Sequence, residues 1–295
     1  MSEKNFKQVD VFTDVKFKGN PVIVFFDADN LSTEQMQDIA RWTNLSETTF
    51  VEKTTQSGAD YKVRIFCPTY EMPFAGHPTI GTCYALLESG RITPTNGKLV
   101  QECNAGLVEI TVDNYDPKDI SRVYLSFKLP YYKFEELPEN LYPEVEESLG
   151  LQQNTIASLP KPVIVDDGPV WAVVQLKDGQ SVLDLQLDFS KISLLSEKYS
   201  WDGIGVFGKH DNGLYEARNF APFTGTPEDP ACGSGAGAVG AYLGAYLQEK
   251  VSSFRINQGL KVGRDAKIEV SLTSDEDDLR VHVGGRAVTC LNGSY

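Results

Sequence analysis

Apolar and polar positions follow strand-like patterns in short runs at the start of the chain, which predicts a series of β-strands. Runs rich in β-branched and aromatic residues occupy 6–12 and 20–26, and two further strands are predicted at 48–53 and 61–66. The first part of the sequence is therefore dominated by strands.

Two helices are predicted to interrupt these strands. Ser32 and Gln35 have the spacing of a capping box, and the apolar residues that follow recur at helical spacing up to Asn44. A second helix is predicted from His77 to Leu87. It is small and apolar nearly all round, which is typical of a helix enclosed by other elements rather than one lying on a surface.

The second half of the sequence repeats the arrangement of the first. The Phe-x-Pro at 66–68 aligns with the Phe-x-Pro at 220–222, and, with three extra residues in the second copy, 76–86 then aligns with 233–243. Each copy is predicted to form a strand, a loop and an apolar helix that opens with glycine. We interpret the repeat as an internal duplication. Chance similarity between two helices rich in Gly and Ala is the alternative.

The duplication predicts two domains. A Pro- and acid-rich segment at 129–143 is the expected connection between them. The first domain is predicted to span 1–126 and the second 127–284, with a final strand at 285–295 returning to the first. A length of 295 residues accommodates two domains of ordinary size.

Composition and charge narrow the possible partners and the compartment. With 27 basic and 41 acidic side chains the formal net charge is -14, and no local basic patch offsets it, which disfavours nucleic acid and anionic membranes as partners. The five cysteines form no C-x-x-C pair, which argues against a disulfide framework or a zinc ribbon, and three histidines are too few for an ordinary metal site. Without an apolar leader or a membrane-length apolar run, the predicted localisation is cytoplasmic.

The two glycine-opened helix starts are the first candidates for chemistry. Each exposes backbone N–H groups, and the helix dipole adds partial positive charge, so such starts can hold a carboxylate or stabilise an anionic intermediate. We expect them to meet in a cleft between the two halves, where duplicated proteins commonly place a site. This arrangement would give an acidic protein an affinity for anions without basic side chains.

A dinucleotide site is the competing interpretation of the second helix start, because 235–240 fits the pattern G-x-G-x-x-G. In a dinucleotide-binding protein this motif directly follows a hydrophobic strand, and an acidic residue lies at the end of the next strand. Here a polar turn at 227–231 precedes it, and the next strand, 253–257, ends without an acid. The sequence therefore disfavours a dinucleotide cofactor.

Three motifs occur in an order and spacing that resemble a known family. They are NLSETTF at 44–50, PFAGHPTIG at 73–81 and EDPACGSG at 228–235. The chain is similar to the PhzF family of phenazine-biosynthesis-like isomerases over essentially its whole length. The resemblance implies an α+β fold like that of diaminopimelate epimerase, with two similar domains that are each a mixed β-barrel around a central helix, and it implies a homodimer.

The resemblance also implies roles for residues of these motifs. Glu47 is the acid/base that takes a proton from one carbon of the substrate and returns it to another. His77 and Asp229 are the other implied catalytic residues and hydrogen-bond polar groups of the substrate. Burial in an apolar cleft raises a carboxyl pKa toward neutrality, which suits this task. The residues implied to bind the substrate are Ser46, Gly76, Gly233 and Ser234.

One position departs from the related epimerases and racemases, which place a cysteine before the glycine of each helix start. Here the first position is Ala75 and the second is Cys232. Stereoinversion by two thiols is therefore disfavoured, because one thiol is missing. Cys232 stays a candidate reactive thiol, since a helix N-terminus should lower its pKa.

These observations predict a cofactor-independent, metal-free isomerase that moves a proton within a small substrate bearing a carboxylate. The first alternative is an amino-acid epimerase or racemase that works through Cys232. The second is a non-catalytic protein that binds a metabolite in the same cleft. The expected partners are a small carboxylate and a second copy of the chain.

Overall fold

The computed structural model describes residues 4–248, 251–275 and 278–295, and the chain divides into two compact units. The chain up to Lys128 forms the first unit together with Gly284–Tyr295, and Leu129–Val283 forms the second. Strands and helices occur together in both units, and the predicted α+β class is confirmed.

Strands make up most of the first unit. They are β1 (Asn5–Val11), β2 (Asn20–Phe25), β3 (Glu47–Glu52), β4 (Tyr61–Phe66), β5 (Glu71–Met72), β6 (Lys98–Cys103), β7 (Gly106–Asp113), β8 (Tyr124–Lys128) and β18 (Ala287–Ser294). In space, β18 pairs with β1, and β2, β3, β4, β6, β7 and β8 follow in that order, with β5 beside β4. The pairs β2–β3 and β4–β6 are parallel, and the others are antiparallel.

The two predicted helices of the first unit are α1 (Thr33–Thr43) and α2 (Gly76–Glu88). The capping box of α1 is present, since Ser32 accepts from the Gln35 amide and the Gln35 side chain accepts from the Ser32 amide. Every residue of α2 except Glu88 is buried. Gly81 brings α2 close to the sheet, because a Cβ there would lie 2.3 Å from Val22 Cγ1. The prediction of an enclosed helix is confirmed.

The second unit has a similar mixture of elements. Its strands are β9 (Lys133–Glu136), β10 (Val163–Asp166), β11 (Val170–Gln175), β12 (Gly203–Lys209), β13 (Tyr215–Ala221), β14 (Thr226–Asp229), β15 (Ser253–Gln258), β16 (Ala266–Asp275) and β17 (Asp278–Gly285), whose last two residues are assigned to the first unit. Its helices are α3 (Tyr142–Leu149), α4 (Gly179–Leu183), α5 (Phe189–Tyr199) and α6 (Gly233–Ala241). Among the described residues, no helix is long and apolar enough to cross a membrane.

Strand pairing follows the same order in both units. In the first unit β1–β2 is antiparallel, β2–β3 parallel, β3–β4 and β4–β5 antiparallel, β4–β6 parallel and β6–β7 antiparallel. The second unit repeats this series with β10, β11, β12, β13, β14, β15 and β16. In each unit the buried helix, α2 or α6, follows the short strand of the series. Chance similarity between two helices does not produce matching pairings throughout, so the internal duplication is confirmed.

Candidate active site

The two buried helices are preceded by the same short sequence. Glu-x-Pro-x-x-Gly occurs at 71–76 before α2 and at 228–233 before α6. In this alignment His77 and Ser234 are equivalent, and Asp229 stands where the first unit has a methionine. The repeat is visible in the sequence, but the alignment of the two Phe-x-Pro segments does not predict a role for its glutamates. The two units thus carry different side chains at equivalent positions of the same backbone arrangement.

An Arg–Glu pair connects each of these Glu-x-Pro-x-x-Gly segments to the neighbouring strand. Arg64 of β4 donates from Nε and Nη2 to the two carboxylate oxygens of Glu71 at 2.7 and 2.6 Å. Arg218 of β13 donates in the same way to Glu228 at 3.0 and 2.8 Å, and both side chains are only 6% exposed. Such two-pronged contacts fix direction as well as distance. They position the chain immediately before each helix start.

Glu47 is the first residue of β3, and its carboxylate faces the start of α2. Glu47 Oε2 lies 3.2 Å from Nδ1 of His77, and the two side chains are 15% and 5% exposed. Burial raises the pKa of Glu47 to about 7, and a hydrogen bond from the Ser46 side chain opposes this with a smaller effect. At neutral pH the carboxyl group can therefore both accept and release a proton.

The start of α2 has no side-chain cap. Ala75 stands at the N-cap position, where its methyl side chain cannot accept a hydrogen bond from the first turn. Gly76 and His77 then provide the first amides of the helix. Gly76 also allows close packing, because a Cβ there would lie 2.5 Å from Phe127 Cζ. The first unit thus brings together Glu47, His77, the Gly76 amide and, next to the glutamate, Ser46.

The equivalent place in the second unit holds an indole instead of a carboxylate. Val22 of β2 is in register with Glu47, and Trp171 of β11 is in register with Gly203 of β12. A Cβ on Gly203 would lie 2.8 Å from the Trp171 ring. Trp171 Nε1 donates to Ser234 Oγ at 3.1 Å. The glutamate–histidine contact of one unit is therefore matched by a tryptophan–serine hydrogen bond in the other.

Asp229 lies at the end of β14, in the turn that leads into α6. Its Oδ1 accepts from the Ala231 amide at 2.9 Å. Gln258 braces this turn, because its Nε2 donates to the carbonyl of Asp229 and its Oε1 accepts from the Cys232 amide at 2.8 and 3.1 Å. Gln258 is 1% exposed and was not predicted as part of the site. The second unit thus gathers Asp229, Gly233 and Ser234 around the start of α6.

The expectation that the helix N-terminus lowers the pKa of Cys232 is wrong. Burial raises the pKa of this thiol well above its usual range, and the carboxylates of Asp229 and Asp167 raise it further. Hydrogen bonds from Ser234 and the Gly235 amide act in the other direction without reversing the shift. Cys232 Sγ accepts from the Gly235 amide at 3.2 Å. Its thiol is accordingly a neutral helix cap.

One family model covers nearly the whole chain. A family model described as "Phenazine biosynthesis-like protein" (PhzC-PhzF) matches residues 9–293. The chain therefore belongs to the PhzF family, and the predicted resemblance is confirmed. Over the described residues, no group of three or more His, Cys, Asp or Glu side chains could hold a metal ion.

Individual relatives agree with this assignment. A Schizosaccharomyces pombe protein named "Antisense-enhancing sequence 1" is 50% identical over 295 residues, which is 99% of each chain. Trans-2,3-dihydro-3-hydroxyanthranilate isomerase from Pseudomonas chlororaphis is 35% identical over 289 residues, 97% of each chain. The crystal structure of a PhzF family protein from Bacillus anthracis superposes with a TM-score of 0.87 at 26% identity and covers 100% of this chain and 99% of that one. The predicted enzyme class, an isomerase, is confirmed by relatives named as isomerases.

Proposed function

We propose that the protein is a cofactor-independent isomerase that moves a proton between two carbons of a small carboxylate-bearing substrate, with Glu47 as the acid and base. The observation that supports this most directly is a buried carboxyl whose pKa is raised to about 7, in contact with His77. A group that titrates near neutral pH can take up a proton and release it in one catalytic cycle.

The proposed reaction has two proton transfers. Ionised Glu47 takes a proton from one carbon, so the C–H bond breaks, an O–H bond forms, and the electron pair is delocalised toward the substrate carboxylate. Protonated Glu47 then delivers the proton to a second carbon, and the double bond shifts. His77 holds the glutamate in place through its Nδ1, and Asp229 hydrogen-bonds a polar group of the substrate.

Binding of the substrate carboxylate is assigned to the helix starts. The amides of Gly76 and Gly233 belong to the first turns of α2 and α6, where helix dipoles favour negative charge. Ser46 and Ser234 add hydroxyl groups beside them. That both sets act on one substrate is part of this proposal, and so is the homodimer. Stabilising the anion formed by proton removal is the largest contribution expected from such donors.

The alternative epimerase that works through Cys232 has less support. Stereoinversion needs a base on each side of the reacting carbon, and the second unit has Gly203 where the first has Glu47. The thiol of Cys232 is neutral because burial raises its pKa. One titrating carboxyl group favours proton transfer between carbons over inversion at a single carbon.

A proton-exchange experiment tests the proposed function. Trans-2,3-dihydro-3-hydroxyanthranilate, the substrate in the name of a relative, is incubated with the protein in deuterated water and followed by NMR. We expect isomerisation with deuterium at the carbon that receives the proton, and its loss in Glu47→Gln. Glu52→Gln, at the other end of β3, is the matched control and should stay active.

Each other result has a definite meaning. If Glu47→Gln is as active as the wild type, the proposed mechanism is wrong. If the wild type binds this compound and other small cyclic acids without exchanging a proton in any of them, the protein is the non-catalytic metabolite-binding alternative.

A further inference from the structure

Trp171 is a buried tryptophan of β11 whose indole reaches the start of α6. It is 4% exposed, and its Nε1 donates to Ser234 Oγ at 3.1 Å. The proposed mechanism assigns the Ser234 hydroxyl to the substrate carboxylate but gives Trp171 no role. The hydrogen bond therefore joins a residue outside the proposed mechanism to one within it.

The packing around the ring depends on a glycine in the neighbouring strand. A Cβ on Gly203 would lie 2.8 Å from Cζ3 of Trp171, so a side chain at this position would displace the indole. In the first unit the positions equivalent to Trp171 and Gly203 hold Val22 and Glu47. The second unit therefore combines a large ring with a glycine beside it, and this combination brings an N–H group to Ser234.

The two units contact the same helix position with different polar groups. Ser234 of α6 is equivalent to His77 of α2, whose Nδ1 lies 3.2 Å from Glu47 Oε2. The group that contacts His77 comes from β3, whereas the group that contacts Ser234 comes from β11, which is the counterpart of β2. In both units, a side chain from the sheet thus contacts the residue that follows the helix-opening glycine.

The direction of the hydrogen bond determines what the serine can do. An indole N–H only donates, so Ser234 Oγ is the acceptor and its own O–H hydrogen points elsewhere. The other partner of Oγ among the described residues is Cys232 Sγ at 3.4 Å, and this sulfur already accepts from the Gly235 amide. Sulfur is a weak acceptor, whereas a carboxylate oxygen is a strong one. A bound carboxylate should therefore take the Ser234 hydrogen.

We propose that Trp171 is a positioning residue that holds the Ser234 hydroxyl as a hydrogen-bond donor toward an oxygen of the substrate carboxylate. This inference rests on the proposed function, because it takes that carboxylate to lie at the start of α6. With the indole N–H in place, the hydroxyl is oriented before the substrate arrives. Without it, part of the binding free energy is spent on fixing the hydroxyl rotor. Trp171 thus acts on the substrate only through Ser234.

A double-mutant cycle on ligand binding tests this role. The affinity for cyclohexanecarboxylate is measured by titration calorimetry in the wild type, Trp171→Phe, Ser234→Ala and the double variant. We expect Trp171→Phe to weaken binding about fivefold, which is the effect of one ordinary hydrogen bond, and to have no further effect when Ser234 is already alanine. Trp201→Phe is the matched control. It makes the same change at a buried indole that stacks on Tyr199, and it should bind as the wild type does.

Fluorescence gives a second measurement that does not require Trp171→Phe to fold. The chain has three tryptophans, so Trp42→Phe combined with Trp201→Phe leaves Trp171 as the only one. We expect its emission to move to shorter wavelength when Ser234→Ala is added, because the indole loses its hydrogen-bond partner. Cyclohexanecarboxylate should change the emission while Ser234 is present, and Ser234→Ala should remove most of this response. An emission that Ser234→Ala leaves unchanged overturns the inference.

The outcomes distinguish this inference from the proposed function. If the wild type does not bind cyclohexanecarboxylate, or if Ser234→Ala binds it equally well, the proposed carboxylate site at Ser234 fails and this inference fails with it. If Ser234→Ala weakens binding and Trp171→Phe does not, the role of Trp171 is overturned and the carboxylate site stands. A loss caused by Trp171→Phe that is equally large in the Ser234→Ala background also overturns it, because a purely structural role gives this result.

Discussion

Glu47 Oε2 lies 3.2 Å from His77 Nδ1, and the two residues come from a strand and a helix start of the same unit. The contact places the carboxyl group beside the imidazole ring, while burial raises its pKa. Because both depend on one unit alone, the first unit carries the complete pair to which we assign proton transfer. The raised pKa of Glu47 leads to specific predictions about the pH dependence of activity and about the free energy of unfolding.

The first prediction concerns the pH dependence of activity. Proton removal requires ionised Glu47, whose pKa is raised to about 7. We expect kcat/KM to rise tenfold per pH unit below this value and to level off above it. Initial rates measured from below pH 4.5 to above pH 8 give the inflection. His77→Asn should leave the inflection close to its wild-type pH, because burial and not the contact with His77 raises the pKa of Glu47. If kcat/KM of the wild type instead has its inflection near pH 4.5, the assignment of Glu47 as the base is contradicted.

The second prediction concerns stability. A carboxyl with a raised pKa destabilises the fold when it is ionised, so its cost is absent below the unfolded pKa of 4.5 and complete above about 7. Glu47→Gln should therefore increase the free energy of unfolding at pH 8 by roughly 3 kcal/mol, with little difference at pH 4. Urea unfolding at the two pH values measures this. If Glu47→Gln is stabilised equally at pH 4 and pH 8, ionisation of Glu47 is not the cause of the stability difference.

The third prediction concerns the Arg218–Glu228 pair, which holds the segment next to Asp229. Lysine keeps the charge of Arg218 but cannot make the two-pronged contact. We expect Arg218→Lys to lower kcat by roughly tenfold or more, with a smaller effect on KM, because Asp229 is displaced. Arg255→Lys is the control, since its pair with Glu269 is largely exposed. If the two substitutions lower kcat equally, the Arg218–Glu228 pair does not position Asp229.

The fourth prediction concerns the thiol of Cys232. Because burial raises its pKa, it should react slowly with iodoacetamide at pH 7.5 in the folded protein and quickly after unfolding. Mass spectrometry of the modified peptides measures this, with the less buried Cys290 as an internal comparison. Cys232→Ser should keep most of the activity. Rapid alkylation with loss of turnover would instead support the epimerase that works through Cys232.

Features with a local cause were predictable from the sequence. The capping box of Ser32 and Gln35 lies within one turn, and the enclosed position of α2 follows from its uniformly apolar surface. The resemblance in the three motifs pointed to Glu47 and His77, which the fold brings into contact.

Features that depend on tertiary structure were not predictable. Trp171 and Ser234 are 63 residues apart, and their hydrogen bond exists only because β11 passes the start of α6. The pKa of Cys232 was misjudged because the dipole of a helix is visible in a sequence, whereas burial and neighbouring carboxylates are not. The burial of Asp167 gave no signal in the sequence, since an aspartate in a turn is ordinarily exposed.

The replacement of a carboxylate by Gly203 and Trp171 in the second unit has a stereochemical consequence. If Glu47 is the one proton carrier, as proposed, the proton leaves and returns on the same face of the substrate. Part of an isotopic label at the donor carbon should accordingly reappear at the acceptor carbon of the same molecule. Duplication has thus given this protein two copies of one frame that carry different side chains at equivalent positions, glutamate and valine in one and glycine and tryptophan in the other.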